Sequence, residues 1–285
     1  MRWSVAVASR LDCVRTSTQT MNAIHSLRSL LAHPLTKGMD LDDPKTTELR
    51  CQIVRDKKFL RKIYDDWYGL IRSRIPSGPG GVLELGSGAG YFQEFVPSVI
   101  RSEVFVCKNA QLVADARTLP FVDGCLKALV MTDVFHHIPD VRTFLKEAVR
   151  CLKPGGRLTM IEPWVSPWSK AVFGHLHHEP FLPQAKEWTI PISGPLSGAN
   201  GAIPWIVFHR DRAQFAAEFP QLQFREIRPI MPLVYLISGG VAMRDLIPGQ
   251  LYGPCRFVEN VLSPFVNWTA MFALIDIEKI DVERG

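Results

Sequence analysis

The sequence contains no C-x-x-C pair, no internal repeat, no low-complexity tract and no uncharged run long enough to cross a bilayer. Its six cysteines, Cys13, Cys51, Cys107, Cys125, Cys151 and Cys255, stand apart, with no histidine at zinc-finger spacing. A disulfide framework and a structural zinc site are therefore not expected, and a reducing cytosol suits these thiols. The uncharged stretches Pro229–Met243 and Val261–Ile275 fall short of the ~18–20 residues that a membrane helix needs. What remains is ordinary for a folded chain: 285 residues, 47% hydrophobic and 21% charged, which excludes a disordered or collagen-like polymer. The net charge is +5, but the first 80 residues hold 14 basic and 8 acidic side chains, a local +6 that leaves −1 for the rest. Basicity is thus a property of the N-terminal part rather than of the whole surface.

Composition and period divide the chain into three parts. Residues 1–45 read as an N-terminal extension, poorly ordered in part, with Met21 as an alternative start. Residues 46–162 read as a helical cover and a core. Residues 163–285 continue the same domain around a second site. Between Thr46 and Arg74, Ile53, Val54, Leu60, Ile63, Tyr64, Trp67 and Ile71 recur at three- and four-residue steps. This predicts an amphipathic helix whose opposite face carries Arg55, Lys57, Lys58, Arg61 and Lys62 in solvent.

Strand and helix signals then alternate: Val82–Leu85, helix Tyr91–Val96, Val99–Glu103, Gln111–Ala114, Leu126–Thr132, helix Val141–Leu152 and Arg157–Ile161. That order implies a parallel sheet with helices on both faces. From Trp164 to Arg210 the chain is rich in Pro, Gly, Trp and His and lacks a period, as expected of an insertion at the sheet's edge. A helix over Asp211–Phe219 and strands over Gln223–Ile227 and Met271–Glu278 complete the pattern.

The most specific segment is Val82-Leu83-Glu84-Leu85-Gly86-Ser87-Gly88-Ala89-Gly90, a strand entering a glycine-rich turn. Glycines at these steps permit positive φ and close approach of a ligand. The dinucleotide fingerprint is G-x-G-x-x-G, whereas here the pattern is G-x-G-x-G with Glu84 two residues before it. An acid there would repel a pyrophosphate and suits a ligand with a cationic end.

At these residues the sequence resembles the class I S-adenosylmethionine-dependent methyltransferases. Three further segments fall in that family's order: Asp115–Phe121, Val130–Asp140 with its Asp133-x-x-His136-His137, and Leu152–Leu158 with Lys153-Pro154-Gly155-Gly156. The resemblance implies a Rossmann-like α/β fold with a mostly parallel seven-stranded sheet, one strand, near Met271–Glu278, running antiparallel. It further implies that Glu84 and the Gly86, Ser87, Gly88 and Gly90 backbone receive the methionine end of S-adenosyl-L-methionine. Glu103 would receive the ribose hydroxyls, with solvent exposure as the alternative, and Asp115 and Ala116 the adenine. Asp133 would lie near the methyl group.

Methyl transfer to an activated acceptor is mainly positioning, so a base is required only for a poor nucleophile. His136, His137 and Asp133 are the candidates, the alternative being that the histidine pair caps the loop. A second group, His175, His177, His178 and Glu179, could line the acceptor pocket, and metal ligation is not expected at either. Trp164, Trp168, Trp188 and Trp205 with the Gly194–Gly201 loop suit either a lid or a packed subdomain. Met231–Met243 suits an acceptor-site wall or a lipid-facing patch.

The expected activity is transfer of a methyl group to a small-molecule acceptor, an apolar or lipid-linked hydroxyl, without nucleic acid as partner. Contact with a membrane surface stays open. The rival readings are a cofactor-binding protein without catalysis and a nucleic-acid methyltransferase; no Asn-Pro-Pro-aromatic motif is present for the latter.

Overall fold

A computed structural model describes residues 30–176, 179–191, 194 and 196–281. The expectations for residues 1–29, and for His177 and His178, lie outside the described residues.

Over Thr46–Arg74, where the periodicity predicts one helix, the chain forms two, α1 (Pro44–Asp56) and α2 (Lys58–Arg72). Asp43 caps α1 by accepting from the Lys45 amide. The break falls at Lys57, whose backbone is extended at φ −74, ψ 93. Its side chain, expected in solvent, is buried. The ammonium donates to the carbonyls of Ser238 and Gly240, each at 2.7 Å, of Met243 at 3.1 Å and of Arg244 at 3.3 Å. A buried ammonium is tolerated only when so satisfied, and following these acceptors turns the chain out of one helix into the next.

The sheet has seven strands: β1 (Gly81–Leu85), β2 (Ile100–Glu103), β3 (Leu112–Val113), β4 (Leu126–Thr132), β5 (Leu152–Pro163), β6 (Leu222–Ile230) and β7 (Phe272–Lys279). Their spatial order is β3-β2-β1-β4-β5-β7-β6. Strands β1 to β5 pair in parallel, and β7 runs antiparallel to both β5 and β6. This is the expected mixed sheet, with β7 as the antiparallel strand.

Helix α3 (Val141–Cys151), capped by the Asp140 carboxylate at the Thr143 amide, presses Phe144, Leu145 and Ala148 onto one face. Helix α2 covers the other face with Leu60, Ile63 and Trp67. The crossover from β1 to β2 departs from expectation: the helix predicted over Tyr91–Val96 is only a 3-10 turn at Phe92–Glu94. Gly90 before it and Pro97 after it leave too few residues for a stable helix. Tyr91 instead packs edge-on to Tyr68 of α2, and its hydroxyl meets Asp65.

Beyond β5 come α4 (Pro167–Leu176), a helical turn at Ile203–Trp205 that widens into one π turn at Ile206–Arg210, and α5 (Arg212–Glu218). Between β6 and β7 lie α6 (Val234–Ser238), α7 (Tyr252–Val261) and α8 (Val266–Thr269). The N-terminal segment also touches this part, with the His33 amide donating to Ala242 O at 2.9 Å and the Arg244 amide to Leu31 O at 2.8 Å.

Candidate active site

A cavity of ≈ 400 Å³ opens at the carboxyl ends of β1, β2, β3 and β4, where ligands bind in parallel α/β sheets. Gly86 turns the chain out of β1 at φ +69, and a Cβ at this position would collide with Val134. A Cβ on Gly88 would collide with Thr47 of α1. The loop is held from beneath by Asn109, whose amide donates to Ser87 O at 2.8 Å and Gly90 O at 2.7 Å. The Cys107-Lys108-Asn109 connection therefore braces the glycine turn.

Glu84 is buried beneath that turn, and its Oε2 has no hydrogen-bond partner. Burial pushes its carboxyl up to about 8, with Arg101 opposing. An unsatisfied carboxyl in such a place is costly unless a ligand completes it. Glu103 is likewise buried rather than solvent-exposed: its Oε1 accepts from the Gly88 amide at 3.3 Å and its Oε2 from the Val104 amide at 2.9 Å. Burial raises its carboxyl above the ordinary range against these two hydrogen bonds. Asp115 is held below its ordinary range by the Arg117 guanidinium, 2.6 Å away. Gly86, Glu103, Asp115, Ala116 and Asp133 all face the cavity. Glu84, Ser87, Gly88 and Gly90 form the layer behind it.

At the end of β4, Asp133 adopts φ +60, a left-handed conformation uncommon outside glycine. Burial lifts its carboxyl to about 7; the nearby His136 opposes this, and Glu162 and Glu179 reinforce it. His136 and His137 lie with ring centres 4.2 Å apart and planes tilted by 40°, but differ in surroundings. His136 is enclosed: Nδ1 meets Glu162 Oε2 at 2.8 Å and Nε2 meets Glu179 Oε2 at 3.4 Å. Burial opposes its charge, but these two carboxylates raise its pKa well above that of a free imidazole. Glu162 also accepts from the Val134 and Phe135 amides, both at 2.8 Å. The pair thus fastens the β4 loop to the end of β5.

His137 faces the cavity with Nδ1 3.0 Å from Gly198 O, which fixes the proton on Nδ1 and leaves the Nε2 lone pair toward Glu179, 3.9 Å away. Burial and the neighbouring His136 depress it to about 4. The atoms of His136, His137 and Glu179, and of Asp133, His136 and Glu162, are close enough to surround an ion. Both His136 nitrogens already face carboxylates, an arrangement suited to an imidazolium rather than a metal ligand.

The other end of the cavity is apolar, lined by Val172 and Phe173 of α4, Tyr235 and Leu236 of α6, and Met271. Gly239 to Met243 complete this wall, so Met231–Met243 contributes to the cavity. Sequence reasoning missed Glu162, Thr47 and Arg50. Glu162 carried one signal, an acid closing an apolar strand before Pro163; the helix residues carried none.

A strand order of 3-2-1-4-5-7-6, with β7 antiparallel, is the mixed sheet of a Rossmann-like class I methyltransferase fold. Residues 83–160 match the methyltransferase domain family. Over 68 residues the chain is 41% identical to a demethylmenaquinone methyltransferase of Corynebacterium efficiens, covering 24% of this chain and 29% of that protein. Over 96 residues it is 34% identical to the demethylmenaquinone methyltransferase of Thermus thermophilus, 33% of this chain and 40% of that one. The chain thus spans well under half the length of these relatives. Among solved structures, geranyl diphosphate C-methyltransferase from Streptomyces coelicolor A3(2) aligns with TM-score 0.47 and 12% identity, over 88% of this chain and 89% of that one. Among the described residues, no helix is long and apolar enough to cross a membrane.

Proposed function

We propose that this chain binds S-adenosyl-L-methionine and transfers its methyl group to a small, largely apolar acceptor. One observation carries the cofactor reading: the partnerless carboxylate oxygen of Glu84 under a glycine turn, next to strand-end acids at Glu103 and Asp115. Glu84 would take the ammonium end, with the Gly86, Ser87, Gly88 and Gly90 backbone around it. Glu103 would take the ribose hydroxyls, and Asp115 with the Ala116 backbone the adenine. When bound, the cofactor supplies a methyl group already activated on a sulfonium.

The chain's own part is to seat the acceptor, exclude water and accept a proton where one must leave. Tyr235, Leu236, Val172 and Phe173 exclude water from the apolar end. Asp133, lifted to about 7, is matched to proton transfer at neutral pH, and His137, unprotonated at Nε2, stands beside it. His136 is better suited to positioning than to exchanging protons with an acceptor, because both its nitrogens are occupied. The relatives named for demethylmenaquinone, over the 24–33% of this chain that they match, support an apolar acceptor, and a further relative named as a C-methyltransferase favours carbon over the expected hydroxyl. The free thiols at Cys51, Cys107, Cys125, Cys151 and Cys255 fit a cytoplasmic protein. Against a nucleic-acid acceptor stands the charge of −1 carried by residues 81–285.

The test is turnover: full-length protein, methyl-labelled cofactor and fractions of an apolar cell extract. Label should move into an organic-soluble product with stoichiometric S-adenosylhomocysteine. Cofactor binding with no transfer into any fraction would favour the binding protein without catalysis.

A further inference from the structure

The outer face formed by α7, the turn after it and α8 has no packing partner among the described residues. Phe257 is 69% exposed, Val261 62%, Phe265 61% and Trp268 69%, with Val258 and Leu262 exposed beside them. These residues sit on two helices joined by a 3-10 turn at Ser263–Phe265. From Leu246 to Ile275 the only charges are Arg256 and Glu259. They cancel each other at 2.5 Å, and Glu259 is buried, accepting from the Leu233 and Val234 amides at α6.

Two further features identify what this face meets. Its elements rest on those that line the apolar end of the cavity: α8 packs on α4 and α7 on α6. Trp168, itself 40% exposed at the start of α4, donates its indole N–H to Pro232 O at 3.1 Å, tying α4 to the approach to α6. In addition, α4, on which α8 packs, presents the exposed cation Lys170, while the exposed Arg228 on β6 is paired with Glu226 at 3.3 Å. An exposed aromatic face whose only two charges cancel, packed on a helix that carries the exposed Lys170, complements a bilayer whose apolar boundary lies under anionic headgroups.

We infer that α7 and α8 dock this protein on a lipid bilayer, Phe257, Phe265 and Trp268 entering the interface and the apolar end of the acceptor cavity facing the membrane. The inference deepens the proposed function, since it gives an apolar acceptor a route from the lipid phase. The residues it assigns, 257–268, are distinct from Met231–Met243, against which α7 packs.

The test is flotation of the full-length protein with phosphatidylcholine vesicles, with and without phosphatidylglycerol. The wild type should float with both, more strongly when phosphatidylglycerol is present, and raised salt should remove only that increment. The triple variant Phe257→Ser, Phe265→Ser, Trp268→Ser should lose vesicle binding at least tenfold. A control with Val106→Ser and Val122→Ser, exposed apolar residues elsewhere, should not. Failure of the wild type to bind either vesicle would overturn the inference, as would equal binding by the triple variant. Binding abolished by salt, or sedimentation showing that the same three residues hold a second copy of the chain together, would overturn it too. Titration of the triple variant with S-adenosylmethionine separates the two readings, because docking can fail while cofactor affinity is unchanged.

Discussion

If Glu84 receives the cofactor's ammonium, binding must move protons, and the direction must reverse with pH. In the free protein, burial holds the Glu84 carboxyl at about 8, so at pH 7 it is ~90% protonated. In the complex it must be ionised opposite an ammonium, which releases ~0.9 proton. The cofactor's α-amino group, with an ordinary pKa of ~7.7–8.0, takes up only ~0.1 proton at pH 7. Net release is therefore ~0.8 proton at pH 7, zero near pH 8 and an uptake of ~0.8 proton at pH 9. Affinity should peak near pH 8, and at pH 7 the ionisation of Glu84 weakens binding by about 1.4 kcal/mol, or tenfold. Calorimetric titration in buffers of different ionisation enthalpy reads the proton count directly. Glu84→Gln should remove the release at pH 7, leaving only the small uptake by the amine. Tight binding by the wild type with no proton release at pH 7 would refute the assignment of Glu84.

Further consequences concern the same site and its supports. Asp115→Ala should weaken cofactor binding by at least tenfold, read by the same titration. Once an acceptor is known, a rate that rises through pH 7 and loses this rise in Asp133→Asn identifies Asp133 as the proton acceptor. A profile flat above pH 5 that collapses only in His137→Ala identifies His137, whose pKa is about 4. In the free protein the neutral form of Glu84 favours folding at low pH, because its folded pKa lies above its unfolded one. That stability should be lost as pH rises from about 4.5 to about 8, lowering the Tm in wild type but not in Glu84→Gln. Lys57→Met should cost about 2–4 kcal/mol in urea unfolding, since it leaves buried carbonyls of the 238–244 segment without a donor. A loss below about 0.5 kcal/mol would mean that water replaces the ammonium.

How far the sequence could be read depended on whether a residue's partners are local. Strand β4 falls on the predicted Leu126–Thr132 because a buried parallel strand is a continuous apolar run. The glycine turn was legible because backbone geometry alone demands glycine at Gly86. Lys57 was not, since its acceptors lie 181 to 187 residues away and nothing in an amphipathic period distinguishes it from Lys58. The histidine pair was visible as a pair, but its division of labour was not. Only the fold brings Glu162 behind His136 and leaves His137 facing the cavity. The crossover helix after the glycine turn failed because hydrophobic spacing was counted over six residues bounded by Gly90 and Pro97, where helix nucleation is not recovered.

Titration of the purified full-length chain at pH 8 tests most directly whether the cavity is a site for S-adenosylmethionine. S-adenosylmethionine and S-adenosylhomocysteine should bind with micromolar affinity, NADH should not, and Glu84→Ala and Asp115→Ala should each weaken binding at least tenfold. Absence of binding by the wild type, or unchanged affinity in both variants, would contradict that assignment.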